Sequence, residues 1–179
     1  QTIELSKDQH DAMVAIEDWR NDWTRNRAKQ TLTMGGLAGV GKTHLIAAIA
    51  DNWNNVAVAA LCGKAANVLR NKGVRDAQTI HSLIYDAIKN NGHIRFEKKD
   101  RLDGVETIII DEASMVNVQL YNDLLSFKLP ILFVGDHGQL EPIGENPRLM
   151  IDPEIRLEKI HRQAEGNRIL RLASAFREG

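Results

Sequence analysis

The stretch that decides the fold is residues 36–43, which read Gly36-Leu37-Ala38-Gly39-Val40-Gly41-Lys42-Thr43. They match the pattern G-x-x-x-x-G-K-[ST] at every fixed position. An apolar segment, Thr31–Met34, precedes them, and a helical pattern, Lys42–Trp53, follows. This is the strand–loop–helix context in which such a loop binds phosphate. A glycine-rich turn that binds nothing is the weaker interpretation, because every fixed position is present.

Five residues of this loop carry the contacts that we expect with a nucleotide. Gly36, Gly39 and Gly41 give the backbone the freedom to bring its amides close to an anion. Those amides and the N-terminus of the following helix attract phosphate. We expect Lys42 to reach the β- and γ-phosphates and the Thr43 hydroxyl to bind Mg²⁺. A nucleoside triphosphate and Mg²⁺ are therefore the expected cofactors.

The composition is that of a globular protein and excludes several functional classes. The chain has 179 residues, of which 43% are hydrophobic, enough for one well-cored domain. Its 23 basic and 24 acidic residues give a net charge of −1, which excludes a uniformly basic binder but not a local basic groove. The single cysteine, Cys62, excludes an internal disulfide, and we expect it in the core. Apolar runs such as Val56–Cys62 are too short to span a bilayer, and no signal peptide opens the chain, so we expect no membrane partner and a cytoplasmic location.

Short apolar segments alternate with helical ones, which favours an α/β domain built on a parallel sheet. The expected strands are Thr31–Met34, Val56–Leu61, Thr107–Ile110, Ile131–Val134 and Arg156–Leu157. The expected helices are Lys7 to about Trp23, Lys42–Trp53, Lys64–Lys72, Thr79–Ile88, Asn117–Phe127 and Asn167–Arg177. Only the polar stretch 89–104 is a candidate insert.

Two adjacent acids follow a predicted core strand. Ile108–Ile110 leads directly into Asp111 and Glu112. Ligands of an open parallel sheet bind at the carboxyl ends of its strands, so both carboxylates should lie near the phosphate loop. We expect Asp111 to hold Mg²⁺, through water, and Glu112 to orient or deprotonate the attacking water. Alone, the pair is equally typical of a solvated helix start, and the phosphate loop is what favours the catalytic interpretation.

A third strand end completes a resemblance to a known family. It continues into Gly135-Asp136-His137-Gly138-Gln139-Leu140-Glu141-Pro142. In this order, the phosphate loop, the Asp-Glu-Ala-Ser segment and Gly-Asp-x-x-Gln-Leu-x-Pro resemble the first motor domain of superfamily 1 helicases. In detail they resemble the RecD/Dda-like branch, superfamily 1B, from Leu5 to Arg162. The resemblance implies that residues 1–179 form a single RecA-like P-loop NTPase domain, with a parallel sheet flanked by helices and a small hairpin insert.

The resemblance also implies ATP as the nucleotide and assigns three further residues to it. Gln9 matches a glutamine that reads adenine, with a capping box beside Ser6 as the competing interpretation. Gln139 matches a glutamine that senses the γ-phosphate and couples it to DNA, with Asp136 beside it as structural support. Arg162 matches an arginine at the nucleotide cleft that stabilises developing charge, although it is also typical of a surface arginine.

Two segments resemble the family's contacts with single-stranded DNA. Gly63 and Lys64 match the first, where a helix N-terminus and an ammonium group both face a phosphate. Thr79 and His81 match the second, as contacts to backbone or base. A histidine that opens a helix is more often structural, so its interpretation stays open.

In the family, a small subdomain that acts as a pin lies where this chain has residues 89–104. Here the segment is short enough that we expect a minimal hairpin. Phe96 alternates with charged neighbours and could stack on a base at the fork. Packing of its ring onto the domain core is an equally good interpretation.

The expected function is that of a motor domain that couples ATP hydrolysis to 5′-to-3′ translocation on single-stranded DNA and to duplex unwinding. The chain starts with Gln, and motifs of a second RecA-like domain are absent from it. We therefore expect a fragment of a larger helicase that does not unwind DNA alone. A stand-alone P-loop ATPase or kinase that does not act on nucleic acid is the alternative, and a catalytically idle nucleic-acid-binding module is a third. Stimulation of hydrolysis by single-stranded DNA separates the first from the second.

Overall fold

A computed structural model of the chain describes residues 4–137 and 146–158, and two elements of the sequence analysis lie outside these ranges. They are the closing helix expected at Asn167–Arg177 and the end of the Gly135–Pro142 motif. The described helices are α1 (Lys7–Asn26), α2 (Lys42–Asn52), α3 (Gly63–Asn71), α4 (Ile80–Ile84) and α5 (Val118–Leu125). The strands are β1 (Thr31–Gly36), β2 (Val56–Ala60), β3 (Gln78–Thr79), β4 (Tyr85–Asn90), β5 (His93–Lys98), β6 (Thr107–Asp111), β7 (Ile131–Gly135) and β8 (Ile155–Leu157).

Six of the strands form one parallel sheet, in the order β3-β2-β6-β7-β1-β8. Successive side chains of a strand point to opposite faces, and both faces of this sheet are covered. Ile109 and Leu132 pack into a core with residues of α1, α2 and α3, whereas Ile110 and Phe133 pack into a second core with α4 and α5. This explains why the central strands read as unbroken apolar runs, and it confirms the predicted α/β class with helices on both sides of a parallel sheet.

The local structure differs from the sequence analysis in two places: one strand was missed, and one expected helix is wrong. The strand β3 was not anticipated, because two residues carry no pattern of their own. The helix expected over Thr79–Ile88 ends at Ile84, and Tyr85–Asn90 is a strand. Its partner is β5, and the two-residue loop between them is Asn91-Gly92, with φ of 47° and 83°. Both positive angles are those of the tight turn that Asn-Gly favours, and this turn overrides the helical pattern before it.

The hairpin β4–β5 overlaps the expected insert 89–104 and is held to the domain at its base. The Tyr85 hydroxyl donates to the Asp123 carboxylate, and burial together with this bond raises the pKa of Tyr85 to about 12. The Lys98 ammonium lies 4.7 Å from the centroid of the Phe127 ring. Beyond Tyr85, every residue of both strands is exposed. The hairpin therefore projects from the sheet domain and packs little against it.

We expect Gly36→Ala to lower the free energy of unfolding by about 1–3 kcal/mol, the usual cost of overpacking. A Cβ at Gly36 would lie 2.5 Å from Val40 Cγ2 and 3.1 Å from the Leu157 carbonyl oxygen, so that a neighbour must move. Gly63→Ala is the matched control, because a Cβ there meets no atom within 4 Å. Urea denaturation measures both. Equal stabilities of the two variants would contradict the close packing described here.

Candidate nucleotide-binding site and nucleic-acid interface

The carboxyl ends of three adjacent strands bring the predicted nucleotide residues together. Strands β6, β7 and β1 are neighbours, with Ile110 opposite Phe133 and Gly35 opposite Gly135. Because all three are parallel, the loops that follow them leave the sheet at the same edge. The phosphate loop follows β1, the acidic pair Asp111-Glu112 lies at the end of β6, and Asp136 follows β7. One edge of the sheet thus carries the residues expected to bind phosphate and Mg²⁺ side by side.

The phosphate loop has the backbone that its motif predicts. Gly41 has a φ of 90°, which a residue with a side chain adopts only with strain, and α2 begins at the next residue. No side chain caps this helix, so its first amides are available to an anion. The Lys42 ammonium donates to the carbonyl oxygens of Gly36, at 2.5 Å, and of Leu37, at 3.1 Å. Lys42 is thus folded over the loop where a phosphate would bind.

Electrostatics tie Lys42 to the acids at the neighbouring strand ends. Burial lowers the pKa of Lys42, against the opposing effect of Asp136, Asp111 and Glu112. Burial raises the pKa of Asp111 to about 6. A backbone hydrogen bond with Glu112 opposes this shift, the Glu112 charge adds to it, and the Lys42 charge opposes it. Lys42 and Asp111 are close enough for each to affect the pKa of the other. Such mutually perturbed and partly buried groups are typical of functional sites.

Glu112 occupies an unusual backbone conformation. Its φ is 56°, and it opens the short 3-10 turn Ala113–Met115. A left-handed conformation is uncommon for a residue other than glycine, and such positions cluster at functional sites. The turn redirects the chain immediately after β6. The half-buried Glu112 therefore stays at the sheet edge beside Asp111.

The residues present suit Mg²⁺ held partly by a nucleotide. Among residues 4–137 and 146–158, no cluster of three or more His, Cys, Asp or Glu side chains could hold a metal alone. Thr43 and Asp111 instead supply a hydroxyl and a partly desolvated carboxylate, the hard oxygen ligands that Mg²⁺ prefers. Mg²⁺ usually keeps several waters and binds one or two protein oxygens together with substrate phosphates. The donor set fits that mode.

Gln9 connects the first helix to the phosphate loop. Its side-chain oxygen accepts from the Ser6 amide at 2.8 Å, and Ser6 Oγ accepts from the Gln9 amide at 3.3 Å, which is a capping box. The Gln9 side-chain nitrogen donates to the Gly41 carbonyl oxygen at 3.1 Å. Gln9 is 1% exposed. An adenine contact would require this amide to leave bonds that it already makes. The bond to Gly41 was not anticipated, because 32 positions separate the two residues and no local pattern signals it.

The residues expected to contact DNA lie along the same edge, on the side of β2 and β3. Gly63 and Lys64 are exposed at the start of α3. Thr79 ends β3, and its hydroxyl accepts from the Ser82 amide as the cap of α4. His81 is exposed, with its ring centroid 5.2 Å from that of Tyr85.

Phe96 lies on the hairpin and is 64% exposed, so it does not pack onto the core. On the same face of the hairpin it is flanked by Ile94, also 64% exposed, and by Lys98. Of the two interpretations of Phe96, packing onto the domain core is therefore wrong, and the ring is accessible.

The remaining residues singled out in the sequence are Gln139, Arg162 and Cys62. Gln139 and Arg162 lie outside the described residues. The expectation that Cys62 is a core residue is wrong, because its side chain is exposed. It follows β2 at the sheet edge and occupies the cap position of α3, where the chain leaves the core.

Comparison with known proteins shows the family to which this chain belongs. Residues 4–179 match the model of the AAA domain. The ATP-dependent RecD2 DNA helicase of Deinococcus radiodurans is 30% identical over 159 residues, which cover 83% of this chain and 22% of that protein. The chain thus spans about a fifth of that relative. The resemblance to RecD-like helicases is confirmed.

Solved structures of Pif1 helicase from Bacteroides share the fold. A double cysteine mutant superposes with a TM-score of 0.61 at 21% identity, covering 89% of this chain and 43% of that one. Pif1 bound to single-stranded DNA gives a TM-score of 0.58 at 21% identity, with the same coverage. Within the part of the chain that the structure describes, no helix is both long and apolar enough to cross a membrane.

We expect Asp111→Asn to be more stable than the wild type at pH 7 in magnesium-free buffer, by up to about 3 kcal/mol. The folded-state pKa of about 6 lies above the unfolded value of 3.8, so the folded protein binds more protons between these values. The stability of the wild type should therefore fall as the pH rises from 4 to 6, whereas that of the variant should not. Urea denaturation across this range measures the effect. Asp18→Asn, on the exposed face of α1, is the control and should follow the wild type.

We expect Gln9→Ala to weaken the binding of ATP and GTP analogues to the same degree, by about fivefold, because it releases the Gly41 carbonyl. Ser6→Ala removes the capping interaction alone and should leave both affinities unchanged, while costing about 1 kcal/mol of stability. Calorimetric titration of each of the two variants with each of the two analogues separates the capping role of Gln9 from its role at the phosphate loop. A loss confined to the ATP analogue would show that Gln9 reads adenine instead.

Proposed function

The chain belongs to the AAA domain family, and we propose that it is the first motor domain of an ATP-driven DNA helicase of the RecD type. In the full enzyme, ATP hydrolysis drives 5′-to-3′ translocation on single-stranded DNA and separation of the duplex. The observation that carries the proposal is that Lys42, at the end of the loop after β1, acts electrostatically on Asp111 at the end of β6, two strands away, and that Glu112 acts on both.

Each of these residues has a distinct task in phosphoryl transfer to water. Lys42 leaves the carbonyls of Gly36 and Leu37 and binds the β- and γ-phosphates. Thr43 and Asp111 hold Mg²⁺, which when bound neutralises charge on the phosphates. Glu112 accepts a proton from the attacking water or orients it. The loop glycines direct their amides towards the phosphate oxygens.

The remaining nucleotide contacts rest on the resemblance. Gln139 senses the γ-phosphate and passes its state to the DNA-binding surface. Arg162 stabilises the charge that develops on the transferred phosphoryl group. Gln9 contributes to the same site, by its bond to Gly41 or by direct contact with adenine.

Single-stranded DNA is the proposed second ligand, and its path follows the edge at β2 and β3. Gly63 and Lys64 receive a phosphate at the start of α3, and Thr79 and His81 contact the next nucleotides. Phe96 stacks on a base along one face of the pin-like hairpin, as its exposure permits. The Pif1 structure in complex with single-stranded DNA, which shares this fold, supports single-stranded DNA as the ligand.

The proposed enzyme is larger than this chain. The chain spans 22% of the RecD2 relative and 43% of the Pif1 chain, so we propose that a second RecA-like domain of the same enzyme closes over the nucleotide. Residues 1–179 act as a single RecA-like domain with the hairpin as its insert. Water exclusion and further charge stabilisation would come from the second domain. The isolated chain then binds nucleotide without unwinding DNA, and we place the enzyme in the cytoplasm.

The proposal predicts coupled binding of nucleotide and DNA. Calorimetry with Mg²⁺ and a non-hydrolysable ATP analogue should give a binding isotherm for the wild type that Lys42→Ala abolishes. Oligo-dT should change the nucleotide affinity of the wild type. Phe96→Ala should weaken oligo-dT binding by roughly fivefold to a hundredfold, the cost of about 1–3 kcal/mol for a lost stacking contact.

The matched control for the hairpin is Ile88→Ala, which removes an apolar side chain from the opposite face of the same hairpin and should leave oligo-dT affinity unchanged. Nucleotide binding that depends on Lys42 but is indifferent to oligo-dT, both here and after a second RecA-like domain is added, would overturn the helicase proposal. A stand-alone ATPase or kinase would then be the better account. Unwinding by this chain alone would overturn the requirement for a second domain.

A further inference from the structure

The hairpin formed by β4 and β5 meets the helix α5 through two side chains at its base. The Tyr85 hydroxyl donates to the Asp123 carboxylate of α5. The Lys98 ammonium lies over the ring of Phe127, just beyond the end of that helix. Every residue of the two strands beyond Tyr85 is exposed, so the direction in which the hairpin projects depends largely on these contacts.

The face of the hairpin that is anchored in this way is the face that carries Phe96. In an antiparallel pair, directly opposed residues and alternate residues along each strand have their side chains on one face. Tyr85 is opposite Lys98, and the next pair on that face is Ala87 and Phe96. A hairpin that turned about its base would therefore carry the exposed Phe96 ring to a different side of the domain.

The bond between Tyr85 and Asp123 is the strongest of the side-chain contacts at the base. Both side chains are half-buried, and the Tyr85 ring packs against the core that α4 and α5 share. A hydrogen bond to an ionised group is stronger than one between neutral groups, and partial removal from water strengthens it further. The cation–π contact of Lys98 and the 4.0 Å ion pair between Lys99 and Asp86 each involve an exposed group and contribute less.

We propose that Tyr85 and Asp123 are positioning residues, whose hydrogen bond fixes the direction of the hairpin and thereby holds Phe96 on the path of single-stranded DNA. This inference rests on the DNA-binding function already proposed. Neither residue needs to touch DNA, because the effect acts through the hairpin. Fixing a contact group before binding improves affinity, since less conformational freedom is lost in the complex. The Tyr85 ring also lies against His81, another proposed DNA contact, with 5.2 Å between the ring centroids.

Residual dipolar couplings of backbone amides measure the direction of the hairpin in the free protein. Tyr85→Phe removes only the hydroxyl and keeps the ring against His81. Tyr121→Phe is the matched control, because it removes the hydroxyl of the only other tyrosine, whose ring packs on Phe133. In the wild type and the control, we expect the couplings of β4 and β5 to fit the same alignment as those of β6 and β7. In Tyr85→Phe, they should be smaller and should not fit it.

Affinity for oligo-dT tests whether the anchor acts through Phe96. Tyr85→Phe should weaken binding by roughly threefold or more, and by no more than Phe96→Ala does, because it removes only the placement of that ring. In the Phe96→Ala background, Tyr85→Phe should have no further effect. Asp123→Asn keeps an oxygen that can accept from the hydroxyl and should retain most of the affinity, whereas Asp123→Ala should match Tyr85→Phe. Tyr121→Phe should bind like the wild type.

The outcomes separate this inference from the function on which it rests. Urea denaturation establishes that each variant is folded, and Asp123→Ala tests the same bond from its other side. Unchanged couplings in Tyr85→Phe, unchanged oligo-dT affinity, or a loss equally large in the Phe96→Ala background would overturn the inference alone. So would a Phe96→Ala variant that binds like the wild type. A wild type that does not bind oligo-dT would overturn the DNA-binding function, and the inference with it.

Discussion

The candidate site depends on how closely the backbone of β1 approaches its neighbours where the strand ends. A Cβ at Gly35 would lie 2.6 Å from Pro153 Cγ, and one at Gly36 would lie 2.5 Å from Val40 Cγ2. A side chain at either position would have to displace a neighbouring residue, so glycine fits there best. The end of β1 is thereby fixed against β8 and against the loop that follows. Because β1 also pairs with β7, the phosphate loop is held in register with the acids at the next two strand ends.

Burial and charge pairing act in opposite directions on the pKa values of this site, and burial has the larger effect. Removing Lys42 and Asp111 from water disfavours the ionised form of each, and each favours the ionised form of the other. Lys42 meanwhile donates to carbonyl oxygens of its own loop, where an anion would be a better partner. A polyanion would be a favourable partner for Lys42, and a cation would be one for Asp111.

The sequence predicted best where chemistry restricts the residue type. The phosphate loop was recognisable because each fixed position needs a particular residue, and the core strands because burial on both faces demands apolar runs. Prediction was poorer where the deciding interaction is distant or brief. The two residues of β3 show no periodicity, and the bond from Gln9 to Gly41 joins separate segments. The apolar character of Cys62 suggested burial, but its place at the end of a strand exposes it. At Tyr85–Asn90, the turn at Asn91-Gly92 outweighed a helical pattern.

The exposed hairpin has a consequence for how the protein opens. Its strands β4 and β5 bond to one another in a sheet of their own, and beyond Tyr85 their side chains gain little from burial. Two strands alone are marginally stable in water. We therefore expect the hairpin to unfold as a separate cooperative unit, at a free energy well below that of the parallel sheet. Its amide protons should then exchange with solvent through this local opening, whereas those of β6 and β7 should exchange only when the whole domain unfolds.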